Sequence, residues 1–484
     1  MRKYSYGSVM LLGLMGSQGV LAAPAGDAVR ANNGSTFSAN AADAIQVTCG
    51  ALVGAVDNNG NNATAEQNDL RTNCGNMVRT TLAVLGEGAV NNYGFDSGDQ
   101  VLNALRQFSG EESSSQGRYA TEMNNRQFSV VNSRMSAIRQ GSRGASGVGF
   151  NLQGAEVIAQ TNAAPNSGIV PAMIGGSAGA AGDTGIAWFA NLDYGFGDRD
   201  GSINENGYEY DAYEISLGAD YAWDNGWAIG GIASYSDNDV DFDDDGATVA
   251  SISGGSIETD GYTISAFAQY QADAYYVSGV LGFGSLDHDM ERRVQFSSFG
   301  TAGSPDRLMV GDTESDQLSG QVTVGRVFGT GATTFDVYAG LDYLTVDVDG
   351  YTEDDTATNG GLNLAFEDQD IDSLQSMLGV TVRQTVSLDA GGVFIPYAGL
   401  EWRHEFDNDA RTVDARYANA LPGNPTGTNF AMPTDDPDED FGEITLGLSL
   451  QMRNSTFVFV QWQVAVGLED AESNLITAGI RGTF

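Results

Sequence analysis

Three groups of residues have the types and spacing for chemistry. Gly175 to Gly179 (GGSAG) has the G-x-S-x-G spacing of a serine nucleophile. That nucleophile needs a strand before it, a helix after it and a histidine in reach. Here the flanks are Gly, Ala and Ser, and the chain has only His288 and His404, so the pattern is read as a chance match in a linker. Asp241, Asp243, Asp245 and Gly246 begin like a calcium loop, but the twelfth position, where a bidentate acid is required, holds Ile252. This loop and Asp435 to Asp440 (DDPDED) are read as solvated acidic loops, with a weak calcium contact as the sharper alternative. Cys49 and Cys74 sit in two apolar helical stretches with residues 50–73 between them. A thiol catalyst would need a nearby histidine; a disulfide pinning a helical hairpin needs nothing more and stabilises by about 3 kcal/mol in the chain-entropy model. No enzyme activity, cofactor or metal site is expected.

The elements that carry these residues fall into distinct regions. Arg2 and Lys3 precede an apolar core, Val9 to Val20, and small residues follow at Leu21 to Ala25. That is the form of a secretory signal peptide over 1–25, and it sends the cysteines into an oxidising compartment. Helical periodicity with Asn/Gly breaks continues to about 145, and a Gly/Ala-rich linker fills 146–185. From Ile186 to Phe484 the apolar period is two. A formal charge of −42 excludes an ordinary nucleic-acid binder, and after the N-terminus no apolar run is long enough for a transmembrane helix.

The period-two region decides the fold class. In Tyr213 to Trp223 (YEISLGADYAW) the odd positions are apolar or aromatic and the even positions mostly polar, and Asp224-Asn225-Gly226 then turns the chain into the next run. Twelve such runs follow: 186–196, 208–223, 227–238, 259–271, 274–287, 314–328, 333–347, 368–387, 393–407, 442–453, 456–467 and 474–484. Short turns alternate with long loops, and aromatics flank the apolar face at segment ends, including Trp188, Tyr194, Tyr213, Trp223, Tyr262 and Tyr270. The opposite face carries Asp193, Glu214, Asp220, Asp336, Asp342, Glu401 and Glu405, with Arg383, Arg403 and Arg481 among them. A dry sandwich core excludes such groups; a water-lined lumen accepts them. The expected fold is therefore mainly β: a twelve-stranded antiparallel transmembrane β-barrel over 186–484. On the last run Ile476, Ile480 and the terminal Phe484 share the outward face, similar to the assembly signal of Gram-negative outer-membrane proteins.

The barrel resembles the translocator domain of a monomeric autotransporter (type V secretion), over about Val101 to Phe484. The resemblance rests on Ile395 to Phe406 (IPYAGLEWRHEF), on the opening run AWFANLDYGFGD, on the Gly-rich link before it and on the closing Phe. It implies a helix threaded through the pore and a passenger N-terminal to it delivered to the cell surface. Residues 101–145 supply that helix. Its arginines Arg106, Arg118, Arg126, Arg134 and Arg139, with Arg143 beyond, would face the acidic lumen set, and Arg forks suit carboxylates. Some family members cut themselves at an Asn-Asn pair in this helix; aligning Val131 to Arg139 with it places Ser129 and Val130 at the cleavage position, with Asn124-Asn125 over a turn upstream. The passenger is then 26–100, a short helical unit with the Cys49–Cys74 disulfide and no repeat of a β-helical stalk. The implied partners are outer-membrane lipid, the barrel assembly machinery and periplasmic chaperones; a monomer is expected. His404 falls on the lipid-side set. The leading function is a translocator that displays or secretes its own passenger. A surface adhesin anchored by the barrel and a plugged solute porin are the alternatives.

Overall fold

The structure, a computed structural model, describes residues 25–59, 63–139, 149–152, 155–158, 186–243, 254–296, 300–303, 305–388, 392–421, 429–452 and 456–483. Residues 1–24 of the expected signal peptide, the GGSAG segment, Arg143, Asp245, Ile252 and Phe484 lie outside those residues. The N-terminal part is helical: α1 (Ala25–Ala31), α2 (Thr36–Asn59), α3 (Ala65–Leu85), α4 (Gly98–Ser109) and α5 (Gln116–Arg139). Thr64 opens α3 with a capping box to Gln67, which satisfies two end donors reciprocally. Cys49 on α2 and Cys74 on α3 form the expected disulfide.

Twelve strands follow, each antiparallel to its neighbours: β1 (Ile186–Arg199), β2 (Tyr208–Ala222), β3 (Trp227–Phe242), β4 (Gly255–Ala272), β5 (Tyr275–Gln295), β6 (Asp306–Thr330), β7 (Thr333–Val348), β8 (Gln369–Gln384), β9 (Val393–Glu405), β10 (Asp440–Gln451), β11 (Phe457–Val466) and β12 (Ala471–Thr483). β12 pairs with β1 from Ala471↔Arg199 to Thr483↔Ala187, which closes the barrel. Glycine makes the lumen wall fit. The inward rings of Phe189, Phe267, Tyr276, Tyr338, Tyr397 and Phe459 each lie over a glycine on the adjoining strand, for example Phe189 over Gly218 and Tyr397 over Gly447, where a Cβ would collide with the ring.

The outward face is a belt of exposed apolar residues, among them Ile215, Leu217, Ile229, Ile264, Leu281, Val322, Leu341, Leu378, Leu400 and Leu448. Aromatics close it at both margins. Along β2 and the residue after it the belt runs from Tyr213 to Trp223; ten rises of about 3.3 Å, tilted by about 40°, give a height of about 25 Å, the span of an outer-membrane apolar band.

Beyond the belt, at the long-loop end, the polarity of the two faces inverts while the side-chain parity stays fixed. On β2, Tyr213, Ile215 and Leu217 point out and Glu214 and Ser216 point in; farther up the same strand, Glu209 and Asp211 point out and Tyr208, Tyr210 and Ala212 are buried inside. The same change occurs on β3 (Asp237, Asp239 and Asp241 out; Val240 and Phe242 in) and on β5 (Asp287, Asp289 and Glu291 out; Met290 and Val294 in). The outward carboxylates oppose one another across strands, as in Asp211↔Asp239, Asp239↔Glu258 and Glu258↔Asp289. Like charges directly opposite destabilise a sheet, and these can stand only in water. The belt therefore ends at the aromatics.

This inversion corrects several expectations. The segments read as the starts and ends of long loops, 239–242, 255–258, 288–295 and 306–313, are strand. Asp241 lies within β3, opposite Glu209, so the calcium-like loop does not begin there. Outward acids take the place of outward apolar residues there, so the alternation continues with its sign changed. The single helix expected over 101–145 is two. Gly110, at φ +72, ends α4, a 3-10 turn Glu111–Ser115 follows, and α5 starts at Gln116. The boundary drawn at residue 100 falls inside α4. Within the expected linker, Gly149–Leu152 pairs with Ala155–Ile158 as a hairpin.

The inward apolar residues of the raised rim share one core with α1–α4. Val29, Phe37, Ile45, Leu52, Leu70, Met77, Phe95, Leu105 and Phe108 are buried together with Tyr210, Phe242, Met290, Val294, Phe296, Leu364, Tyr417 and Met432. A small sheet of loop strands, Leu364–Phe366, Thr412–Tyr417 and Phe430–Pro433, completes this cap. Truncating Phe108 to Ala should cost the cap about 3–5 kcal/mol, the usual range for a large buried ring. Limited proteolysis should then cut within 25–110 while the barrel keeps its heat-modifiable gel mobility; simultaneous loss of both would show that the barrel depends on the cap.

Candidate functional site: the lumen helix and the closed mouth

The α5 helix runs down the lumen from the long-loop end, where Arg126 meets Asn238, to the short-turn end, where Arg139 meets Asp336. It does not stand centrally in a wet tube. Phe128, Val131, Met135 and Ile138 pack against Phe189, Ala228, Ile232, Phe267 and Val280, inward residues of β1, β3, β4 and β5. The opposite side of the helix faces a cavity of about 160 Å³ of mixed lining, with Ser129, Arg403, Glu443 and Gln461 beside Met377, Ile395 and Phe459.

Two of the expected helix arginines reach lumen carboxylates. Arg134 makes a bidentate pair with Asp220, Nε at 2.5 Å and Nη2 at 2.8 Å, with both side chains about 1% exposed. Arg139 lies 3.3 Å from Asp336, donates to Gln269 and stacks 3.9 Å above the Tyr276 ring. Arg126 donates to the amide oxygen of Asn238 at 3.0 Å and sits over the Tyr210 ring. Arg106 belongs to the cap, where it pairs with Glu111. The Arg118 side chain is outside the described residues.

The remaining lumen carboxylates find their partners on the wall. Arg403 of β9 holds Asp342 at 2.9 Å, Glu401 at 2.8 Å and Glu443 at 3.0 Å, and it donates to Asn125 of the helix at 3.2 Å. Tyr338 donates to Glu401, Thr477 to Asp193, Ser216 to Glu214, and Ser373 and Gln375 to Glu405. Arg383 and Arg481 of the wall donate to Ser136 and Ser133 of α5. A basic rod in an acidic tube is thus corrected to two-way pairing, because an unpartnered buried carboxylate is too costly to wait for the helix. Asn124, Asn125, Ser129 and Val130 all lie within unbroken α5; Ser129 donates to Gln463.

The other predicted positions are simply placed. Ile476 and Ile480 point outward on β12. His404 lies in an outward aromatic row, stacked on Trp402 and edge-on to Phe406, and meets Asp440 at 3.0 Å.

The joint between cap and helix was not visible in the sequence. Glu111 and Glu112 of the 3-10 turn are buried with Arg292, Glu353 and Tyr351, beside the half-buried Arg106. Arg292 of β5 makes a bidentate pair with Glu353 (2.8 and 2.5 Å) and donates to the Gln107 carbonyl, while Ser113 lies 3.2 Å from the Tyr351 hydroxyl. Three buried carboxyl groups thus share two guanidinium groups, of which only that of Arg292 is fully buried. Burial, with the Glu111 charge adding to it, pushes the Glu112 carboxyl up to about 8, against the pull of Arg292. Burial also raises Glu111, opposed by Arg106.

Two predictions follow from these pairs. Arg134→Ala leaves Asp220 buried without its cation and should cost about 3–5 kcal/mol. It should be read as faster amide exchange along α5, and a further Asp220→Asn change should recover part of the loss; unchanged exchange would show that the pair does not hold the helix. Separately, Glu112 keeps a proton in the docked cap that it has released when undocked, between the ordinary glutamate value of about 4.3 and about 8. Cap stability should therefore be greatest at the acidic end and fall as pH rises to about 8. Glu112→Gln should flatten that slope in protease-protection measurements from pH 5 to 9.

The autotransporter beta-domain family profile matches residues 188–463, more than half of the chain. Among curated proteins, the chain is 25% identical to "Esterase EstA" of Pseudomonas aeruginosa and to that of Pseudomonas putida, over 54% of this chain and 36% of each relative. It is 27% identical over 48% of its length to an uncharacterised Pseudomonas putida protein, again spanning 36% of the relative. The chain thus spans about a third of the length of the curated relatives it matches. Among solved structures it is similar to the translocator domain of autotransporter NalP from Neisseria meningitidis, at 15% identity over 63% of this chain and 90% of that one, with a TM-score of 0.46. It is also similar to the beta domain of the Bordetella autotransporter Brka, at 17% identity over 62% of this chain and all of that one, with a TM-score of 0.41. On the span of the family match, residues 188–463, the chain belongs to the autotransporter beta-domain family.

Proposed function

We propose that this outer-membrane protein of a Gram-negative bacterium carries its N-terminal helical unit to the cell surface and keeps it there as a fixed lid on its own barrel. The observation that carries this reading is the single core shared by α1–α4 and the raised strand ends at the long-loop mouth. Short turns of outer-membrane barrels face the periplasm and long loops face outward, so the lid is on the outer side. The chain α4–turn–α5 then threads from lid to lumen, and α5 closes the pore by its apolar lean and its arginine pairs. In this reading residues 26–100 are the passenger, α4 is shared between lid and pore thread, and Asn124-Asn125 stays uncut.

The reading is of a non-catalytic unit. The helical part contains no histidine, and the activity in the name of the matched Pseudomonas esterases is assigned here to those proteins alone. Assembly uses periplasmic chaperones and the barrel assembly machinery, with Ile476, Ile480 and the terminal Phe484 as the recognition edge, and the barrel acts as a monomer. Insertion is driven by burial of the apolar belt in lipid.

An epitope tag inserted between Asn59 and Ala65 tests the location. Antibody should bind intact cells, whereas binding only after permeabilisation would put the lid in the periplasm and overturn the reading. Intact-mass measurement of the membrane-extracted chain should show one species running from near residue 25 to Phe484; a species beginning near Asn125 or Val130 would show release. Reversing Arg118, Arg126 and Arg134 to Glu should raise ion leakage, and an unaltered leak would contradict closure by the helix arginines.

A further inference from the structure

On β6 the outward set toward the short-turn end reads Val322, Val324, Arg326, Phe328. A guanidinium thus replaces an apolar side chain five residues before the turn at Gly331. Its cross-strand neighbours are Tyr275 on β5 and Val337 on β7, both on the belt. The Arg326 guanidinium carbon lies 5.1 Å from the Tyr275 ring centroid and 5.9 Å from that of Phe328, and Phe328 in turn stacks on Phe335 at 5.7 Å. The side chain is therefore braced by rings at the level of the aromatic margin, where Trp227 and Tyr270 also pack together.

No carboxylate answers this charge: Arg326 makes no ion pair among the described residues. The wall's other membrane-level arginines behave differently. Arg383, Arg403 and Arg481 point inward and are paired with carboxylates or helix hydroxyls. The opposite margin carries outward acids, such as Asp211, Asp237 and Asp260. A cation at the edge of hydrocarbon without a protein partner needs an anion from its surroundings. A planar fork resting against rings, with no protein acceptor, has N–H groups to offer a bidentate acceptor. At that depth the abundant bidentate anion is a lipid phosphate.

We propose that Arg326, with Tyr275 and Phe328 as its brace, is a binding site for the phosphodiester headgroup of a glycerophospholipid in the periplasmic leaflet. The site fixes the height and tilt of the barrel on its β5–β7 side by one directional contact, where the rest of the belt is held only by non-directional burial.

The sequence offers a clean probe, because Lys3, in the signal peptide, is the only lysine. The full chain carrying Arg326→Lys, labelled with 15Nζ-lysine, would be reconstituted in bilayers of phosphatidylethanolamine and phosphatidylglycerol. The wild type with the same label supplies any Lys3 background. 15N–31P dipolar dephasing above that background is expected in the bilayers. It should be lost in sugar-detergent micelles containing inorganic phosphate. Absence of dephasing in the bilayers overturns the site, and equal dephasing in the micelles assigns it to free phosphate and overturns the lipid. Because a charge-retaining change could still perturb assembly, 13Cζ-arginine labelling of the unsubstituted chain gives a second reading. The short-range 13C–31P component should fall in Arg326→Gln, and coincident curves from two folded proteins would overturn the proposal.

Discussion

One constraint organises the molecule: side chains on a strand alternate faces with a period of two, and that parity cannot change without a bulge. The strands of this barrel keep one parity across two environments. At membrane level the outward face meets hydrocarbon and the inward face meets water, polar side chains and the helix. Above it the outward face meets water and the inward face meets the dry core of the cap. A strand such as β2 answers by reversing its chemistry at Tyr213, with the parity intact. The depth of the barrel in the membrane, the height of its rim and the seat of the N-terminal helices all follow from where that reversal falls.

The lumen follows a second rule, that buried charge must be matched locally. The wall provides its own cations at Arg383, Arg403 and Arg481, and the helix supplies Arg134 and Arg139. Neither wall nor helix is a simple charged surface waiting for its complement. The apolar contact of Phe128, Val131, Met135 and Ile138 with one side of the wall sets where the helix lies, and the ion pairs then set its register. A buried pair is weak evidence of net stability, and directional pairing suits a helix that must stop at one place in a pore.

The N-terminal unit is better described as part of the barrel's mouth than as cargo tied to it. Its disulfide joins α2 to α3, but its largest apolar surfaces are completed by strands and loops hundreds of residues away in sequence. Glu111, Glu112, Arg292 and Glu353 are buried at the seam, so cap, rim and lumen helix meet at a single polar joint whose proton count links them.

By itself the sequence determined the strand number, the outward belt, the inward polar set and the cysteine pair, while the helix in the lumen was implied by the family resemblance. Each of these rests on local periodicity or residue type, such as the alternation from Tyr213 to Trp223, which neighbours along the chain suffice to define. Only the tertiary structure decided that 239–242 and 288–295 are strand, that Gly110 breaks the helix, that Arg403 collects three carboxylates and that α1–α4 close the mouth. Those features depend on which solvent or core lies against each face. An aspartate facing water above a membrane and one in a loop look alike in one dimension, and only the docked helices show that Val240, Phe242 and Met290 had something to be buried against.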